Sequence, residues 1–544
     1  MNLTTLEGSS SLSSLAERYR KGEAGVCGLF GSHPSHPSDW RLRAEALDRT
    51  EAGRMDRSRL AGALRAYQRR LKPSAEVDRS IDELASGNAL AVVGGQQAGL
   101  FGGALLIVYK ALTVIQAAKY ARELLQRPVV PVFWIAGEDH DYDEANHVYV
   151  AGQDGAPKRI RIERPEGPRN AVSRTPLTRQ QWNEAIEELA AELPDTEHKP
   201  FWIEKIRSHT EDEPTLTLAF ARLLSEWFGS EGLVLLDADD PELRSQEGAF
   251  FRRLIERNDE LESSLKEGEM QVRELGLPIQ AEAAKGCANL FVHGDSGRLL
   301  LYKKDGNYGD RKDELSLTCD ELLEMAERSP DRLSNNALTR PLMQEYALPV
   351  LATVLGPSEL AYWGVLGPAF ASFGMSLPLL LPRQSFTFVD PGIVKLLEKY
   401  EVDAESVMED GAKLKADWLA RQDDWRLEDR FGDVRRQFAD LYAPLLETLA
   451  AVQPDLKRLG ENNRERILDQ IAYLEKRATD VLAKRHESAL KQWDQMSAAL
   501  QPQGKPQERV LGAIHFLNRY GPEWLEVWKE VPYDVTGGHR LVFP

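Results

Sequence analysis

The sequence predicts an α/β protein: a parallel-sheet core interrupted by two long connecting inserts and followed by an antiparallel coiled-coil arm. Three observations carry this expectation. Five apolar runs of buried-strand type each end abruptly in a polar loop, as the strands of a parallel sheet covered on both faces do. A long apolar stretch with helical character separates the first two runs, giving strand, loop, helix, strand, the start of a parallel sheet. Beyond Gly411 the apolar spacing becomes a near-regular 4,3 repeat, the mark of helices that pack along a seam.

Residues 1–88 read as helices packing on the core, among them SRLAGALRAYQRRLKPS, ending at Pro73, and SIDELASGN, ending at Gly87-Asn88. ALAVVGG, from Ala89, is the first strand; a glycine-rich loop follows, then a helix from about Gly103 to Leu125. VVPVFWIAGEDHDYDEANH, from Val129, is the second strand, so that 89–150 form the first part of the core. Residues 151–230 form a connecting insert, with RIRIERPEGPRN as a strand or hairpin and QWNEAIEELAAEL as an amphipathic helix. GLVLLDADDPELR, from Gly232, returns to the core over 231–264. A second insert, 265–345, contains ANLFVHGDSGRLLLYKKDG, whose apolar runs flank Gly294-Asp295-Ser296-Gly297 as in a hairpin. LPVLATVLGPSELAYW, from Leu348, and SLPLLLPRQSFTFVD, from Ser376, complete the core over 346–410.

The arm spans 411–500. Leu427, Phe431, Val434, Phe438, Leu441, Leu445, Leu449 and Val452 line one helix; after a turn at LGENN a second carries Ile467, Ile471, Leu474, Ala478 and Val481. A two-helix hairpin leaves part of such a stripe uncovered, so the arm is expected to make a homodimer. The segment 501–544, rich in tryptophan and tyrosine, is expected to fold back onto the core.

In a doubly wound sheet the carboxyl ends of the strands share one edge, and ligands bind in the crevice beyond it where strand order reverses. Five polar loops far apart in sequence would therefore meet at one site. The first, AVVGGQQAGLFGG, matches neither the Walker pattern nor the dinucleotide fingerprint. Close packing of helix on strand could account for Gly102 and Gly103 without a ligand. Alternatively Gly95, Gln96, Gln97 and Gly99 offer N–H and amide donors to a phosphate or carboxylate at a helix N-terminus. The second loop holds Glu138, Asp139, His140 and Asp141. It reads as a histidine base among carboxylates, as part of a metal set, or as a solvated loop of capping acids. Asp237, with Asp239 and Asp240, ends the third run and could add metal ligands or simply start a helix. Ser358, Glu359 and Tyr362 follow the fourth; Glu359 could meet an amine or hydroxyl, or serve as a first-turn acid. Arg340, in SNNALTRPLMQ, and Arg383, in LPRQSF, suit carboxylate or phosphate oxygens.

Composition narrows the partners. Asp and Glu number 86 against 68 Lys and Arg, a net charge of -18, which disfavours nucleic acid and anionic membranes and favours small molecules. Cys27, Cys287 and Cys319 are isolated, without C-x-x-C, so neither a disulfide framework nor a cysteine zinc site is expected, and no role is assigned to them. The N-terminal stretch lacks an apolar signal core and no run reaches the ~18 apolar residues of a membrane span, so a cytoplasmic protein is expected.

VVGGQQAGLFGGALLIVYKALTVI, PVFWIAGEDHDYDEANHV, VLLDADDPELR, SNNALTRPLMQEY, LATVLGPSELAYW, LPRQSFTFVD and FLNRYGPEW, in this order over nearly the whole chain, resemble the bacillithiol biosynthesis cysteine-adding enzyme family. One departure is Gly94, where the family more usually carries Thr before Gly-Gln-Gln. The resemblance implies a Rossmann-like core with connecting inserts and a dimerising coiled-coil arm. It also implies a ligase joining L-cysteine to the amine of glucosaminyl-malate, with ATP or ADP as the nucleotide and the metal requirement open. Under that reading Asp139, His140 and Glu359 are the catalytic candidates. Gly95, Gln96, Gln97, Gly99, Glu138, Asp141, Asp237, Ser358, Tyr362, Arg340 and Arg383 would bind substrate or nucleotide. No H-I-G-H or K-M-S-K-S block is present, which weakens adenylation as the specific route of activation. The alternatives are a metal-dependent hydrolase, with His140, Asp139 and the Asp237 group as ligands, or a nucleotidyltransferase acting on a small anionic substrate.

Overall fold

The computed structural model describes residues 2–6, 14–153, 155–304 and 306–543. They fall into two compact units: residues 2–387 with 505–542, and residues 388–504 with Phe543.

The first unit is built on five parallel strands: β1 (Leu90–Gln96), β2 (Val129–Ile135), β3 (Val234–Asp237), β4 (Val350–Leu355) and β5 (Leu379–Pro382). These are the five apolar runs expected from the sequence. Their order in the sheet is β5-β4-β1-β2-β3. Val93 faces both Val132 and Thr353 across its two ladders, and Trp134 faces Leu236. Every residue of β2, β3 and β4 is buried, which is why these strands read as continuous apolar runs rather than alternating ones. The chain moves outward from β1 to β2 and β3, then returns to the far side of β1 for β4 and β5. Strand order thus reverses between β1 and β4, and the crevice for a ligand opens there.

Helix α1 (Leu105–Leu125) makes the crossover from β1 to β2 and is buried on nearly every side, Lys110 and Thr113 included. The N-terminal helices Arg57–Gln68 and Ala75–Ala85 pack on the sheet, with Leu60, Leu64, Ile81 and Leu84 in one cluster with Val93, Trp134 and Leu236. The strand Asn2–Leu6, which lacks a sequence signature, joins a small sheet with Gly538–Phe543. Near the C-terminus, Gly512 N–H donates to the Tyr149 carbonyl at 2.8 Å, and Gln116 reaches the Val531 carbonyl at 2.9 Å.

The first insert opens with a hairpin, His147–Ala151 against Pro157–Arg161, and continues in three helices, Arg179–Glu192, Lys199–Thr210 and Leu216–Phe228. The second contains the expected hairpin, with Gly294 opposite Gly297, inside a five-stranded antiparallel sheet that ends on Leu333–Asn335. Helix Asn258–Glu274 runs through the 264/265 boundary placed from the sequence, because its apolar face is continuous there, Leu261 and Leu265 both lying in the core.

The second unit is helical: α2 (Ala404–Arg421), α3 (Leu427–Val452), α4 (Pro454–Arg485) and α5 (Glu487–Leu500). Two expectations are corrected here. The helical unit begins at Phe388, ahead of the 410/411 boundary, which coincides with a kink of α2 at Asp410; and LGENN is helical, within α4. The reversal sits instead at Gln453, whose extended backbone precedes Pro454 at the first turn of α4, a position where the missing proline N–H costs nothing. α3 and α4 are cross-linked by the Arg435–Glu475 ion pair and by the Tyr442 hydroxyl on Asn463.

Candidate active site

A cavity of about 470 Å³ opens beyond the carboxyl ends of β1, β2, β4 and β5. Its walls include Gly95, Gln96 and Gln97 from β1, Glu138, Asp139 and His140 from β2, Ser358, Glu359 and Tyr362 after β4, and Arg340 and Arg383. Eleven of the fourteen residues singled out from the sequence therefore share one site. Gly99, Asp141 and Asp237 do not line it. Asp141 is exposed, and it precedes the short helix Tyr142–Ala145. Asp237 is buried beneath Gly137, where a side chain on residue 137 would collide with its Oδ1. The end of β3 thus supports the crevice without reaching it. The ligand set of the hydrolase reading is not assembled: Asp237 is separated from the wall, and among the described residues no three His, Cys, Asp or Glu side chains form a metal-binding group.

The glycine loop serves two purposes. A Cβ on Gly102, at φ +93, would come within 2.2 Å of the Trp227 ring, and one on Gly99 within 2.5 Å of the Gly103 Cα. These glycines exist for packing. Three N–H groups here are taken: Gly102 donates to the Gly99 carbonyl at 3.0 Å, Gly103 to Leu100 at 2.9 Å, and Leu105 at the start of α1 to Leu511 at 2.9 Å. The first N–H of α1 is therefore taken by the C-terminal segment. Gly99 faces a smaller chamber of about 220 Å³ that shares Gln96, Gln97 and Arg509 with the main cavity.

At the floor, Lys110 from α1 uses three donors. It binds the Gly95 carbonyl at 2.7 Å, Gln96 Oε1 at 3.0 Å and Glu359 Oε2. Burial pulls the Lys110 pKa down, while Glu359 opposes the shift. Glu359 Oε2 also accepts the Gly356 N–H at 2.7 Å, so this carboxylate caps its own helix and neutralises the lysine. Because Gln96 Oε1 faces Lys110, its NH2 is the end left for a ligand.

On the β2 side, Asp139 Oδ2 accepts Gln97 Nε2 at 2.6 Å and Oδ1 accepts the Asp141 N–H at 3.2 Å. Glu138 lines the wall yet is 3% exposed; its Oε2 binds Arg244 and accepts the Asn335 N–H at 3.1 Å. Its charge is consumed by the buried Arg244, which also holds Glu247 at 2.7 Å. His140 sits against Phe291, with its Nδ1 at 3.1 Å from Arg298 Nη1. Burial, then Arg298, push the His140 pKa down, so it is neutral at physiological pH.

The two arginines named from the sequence differ. Arg383 forms a bidentate pair with Glu508, at 2.8 and 2.6 Å, both side chains being 4% exposed. Its charge is already matched, so the expected role as an anion holder is not supported by its partners. Arg340 donates to Gln344 Oε1 at 2.9 Å and to the Tyr362 hydroxyl at 3.2 Å, and among the described residues no carboxylate pairs with it. Glu359 and Glu138 act on it only from beyond ion-pair distance, and Arg509, at the same wall, likewise has no carboxylate partner among the described residues. Lys110, Arg298 and Phe291 were missed from the sequence. Lys110 looks like one polar interruption of an apolar helix, and Arg298 lies in an insert hairpin whose edge over the site is set only by tertiary packing.

Two family models cover the chain: the "Bacillithiol biosynthesis BshC, N-terminal Rossmann-like domain" over residues 1–384 and the "Bacillithiol biosynthesis BshC, C-terminal coiled-coil domain" over 386–544. The chain belongs to the bacillithiol biosynthesis BshC family. Similar BshC proteins are found in Bacillus cytotoxicus, 33% identical over 89% of this chain and 90% of the relative, and in Geobacillus thermodenitrificans, 35% identical over 90% of each. A third, from Shouchella clausii, is 38% identical over 85% of this chain and 86% of its own. All three bear the name "Putative cysteine ligase BshC". The BshC family description agrees with the parallel core and helical arm described above.

Proposed function

We propose that this cavity forms the amide between the carboxyl of L-cysteine and the glucosamine nitrogen of glucosaminyl-malate, yielding bacillithiol. The observation that carries the reading is the pairing, in one cavity at the switch point, of the Asp139–His140 couple with Arg340, which among the described residues hydrogen-bonds only to neutral groups. A ligase of this kind must hold an anionic substrate and take a proton from the attacking amine. Arg340 suits the malate or phosphate oxygens, and the Asp139–His140 couple lies at the same wall to manage the proton.

A carboxylate and an amine do not condense usefully in water, so the carboxyl needs activation. ATP is the economical source, with Gln96, Gln97, Arg340 and Ser358 as the groups able to hold its anionic part. The arm would make a homodimer, and the reaction would run in the cytoplasm; among the described residues no helix is long and apolar enough to cross a membrane.

Purified protein given L-cysteine, glucosaminyl-malate and ATP should yield a product with the mass of bacillithiol, together with ADP or AMP. Cells from which the gene is deleted should accumulate glucosaminyl-malate and lack bacillithiol. Normal bacillithiol in a clean deletion strain with no second copy would refute the proposal.

A further inference from the structure

His140 has a role that its residue type alone does not reveal. A guanidinium has only donors. Arg298 Nη1 lies 3.1 Å from His140 Nδ1, so Nδ1 is the acceptor. A neutral imidazole that accepts at Nδ1 carries its proton on Nε2. Arg298 cannot turn away to relax this choice. Its Nε donates to Ser334 Oγ at 3.0 Å, its Nη2 to the Asn335 carbonyl, and its guanidinium lies 3.7 Å over the Phe291 ring. The side chain is 4% exposed.

The other groups facing His140 are Asp139, whose Oδ1 is 3.6 Å from Nδ1, and the charges of Asp141 and Arg164. The two carboxylates favour protonation and the two arginines oppose it. Protonating Nδ1 would set an N–H against the fixed N–H of Arg298, and burial adds to the cost. Among the described residues Nε2 has no partner, and His140 lines the cavity.

We infer that Arg298 is a positioning residue that locks His140 as the neutral Nε2–H tautomer, so that His140 donates a hydrogen bond to an acyl or carboxylate oxygen of the ligand while Asp139 accepts the proton. The role of the donor rests on the ligase reading; the tautomer does not. With its N–H directed to the ligand, His140 cannot take a proton at Nε2, and Nδ1 is occupied. Asp139 keeps lone pairs beyond those used by Gln97 and the Asp141 N–H, and is the adjacent group able to receive the amine proton.

Nitrogen-15 histidine spectra of the full-length protein, assigned by loss of the signal in His140→Gln, should show a protonated Nε2 and a bare Nδ1 at pH 7. In Arg298→Met the same ring should titrate at higher pH and lose its single tautomer. An Nδ1–H tautomer or an imidazolium at pH 7 in the parent protein would overturn the inference. In the amide-forming assay, His140→Gln keeps a donor near the Nε2 position but no base. It should stay within about 10-fold of the parent kcat, while His140→Ala and Asp139→Asn fall by roughly 100-fold or more. Equal loss in His140→Gln and His140→Ala would make His140 the base and overturn the donor role. A parent protein that forms no amide at all would defeat the ligase reading, while the spectra would still decide the tautomer.

Discussion

At the scale of single residues, charge compensation separates side chains that the sequence presents as equals. Among the described residues Arg340 hydrogen-bonds only to neutral groups, so Arg340→Met should leave the fold intact and raise KM for the anionic substrate about 10- to 100-fold, the worth of a charged hydrogen bond. An unchanged KM would remove Arg340 from the site. Arg383→Met should instead lower stability by about 3–5 kcal/mol, because it strands Glu508 in the interior. Chemical denaturation distinguishes the two variants directly. Asp237 gives a pH signature. Burial, with Asp239 beside it, pushes its pKa from 3.8 up to about 7. Between those values the native state holds a proton that the unfolded chain has released, so this group's contribution to stability falls as pH rises through that window. Asp237→Asn keeps the Oδ1 that accepts the Asp239 N–H. At pH 8 it should be more stable than the parent, by about 1–3 kcal/mol, with the advantage disappearing toward pH 4. Melting curves that run parallel at both pH values would show that Asp237 is not protonated in the folded protein.

At the scale of elements, the loop between β1 and α1 shows how packing and binding divide one run of glycines. Gly95, with Gln96 and Gln97, borders the main cavity, whereas Gly99, Gly102 and Gly103 let the loop close on itself and on Trp227. Gly102→Ala places a methyl inside the Trp227 ring at a backbone angle that alanine tolerates poorly. A cost of about 2–4 kcal/mol is expected, measurable by denaturation without any ligand. Gly94 is different again: a Cβ there meets Val114 Cγ2 at 2.5 Å. A side chain at this position therefore requires a smaller neighbour. Gly94→Thr should destabilise the protein, and Val114→Ala in the same chain should recover part of the loss; additive losses would dismiss the coupling.

At the scale of the whole molecule, the arm carries more apolar surface than its two long helices cover. Leu441 is 78% exposed and Leu474 60%, on a stripe that both α3 and α4 share. Such an exposed stripe calls for a partner, and a second copy of the same arm supplies a matching one. Light scattering of the intact chain at micromolar concentration should give the dimer mass, and Leu441→Glu combined with Leu474→Glu should halve it. A monomeric parent would reject this expectation.

The sequence by itself determined the five core strands, the insert hairpin and the presence of a helical arm, because each is written in local periodicity: long apolar runs bounded by polar loops, or a 4,3 repeat. It also brought most of the cavity residues together, since parallel strands must end along one edge. What only the tertiary structure decided depends on contacts across hundreds of residues. The turn of the arm moved from LGENN to Gln453 because a helix tolerates Gly460 and two asparagines when a neighbouring helix packs on it, while Pro454 begins a helix cleanly. Glu508 took the charge of Arg383, the C-terminal segment took the first N–H of α1, and Arg298, reaching in from an insert, set the proton on His140. Partner and protonation state follow from distance and burial, and neither quantity has a period along the chain.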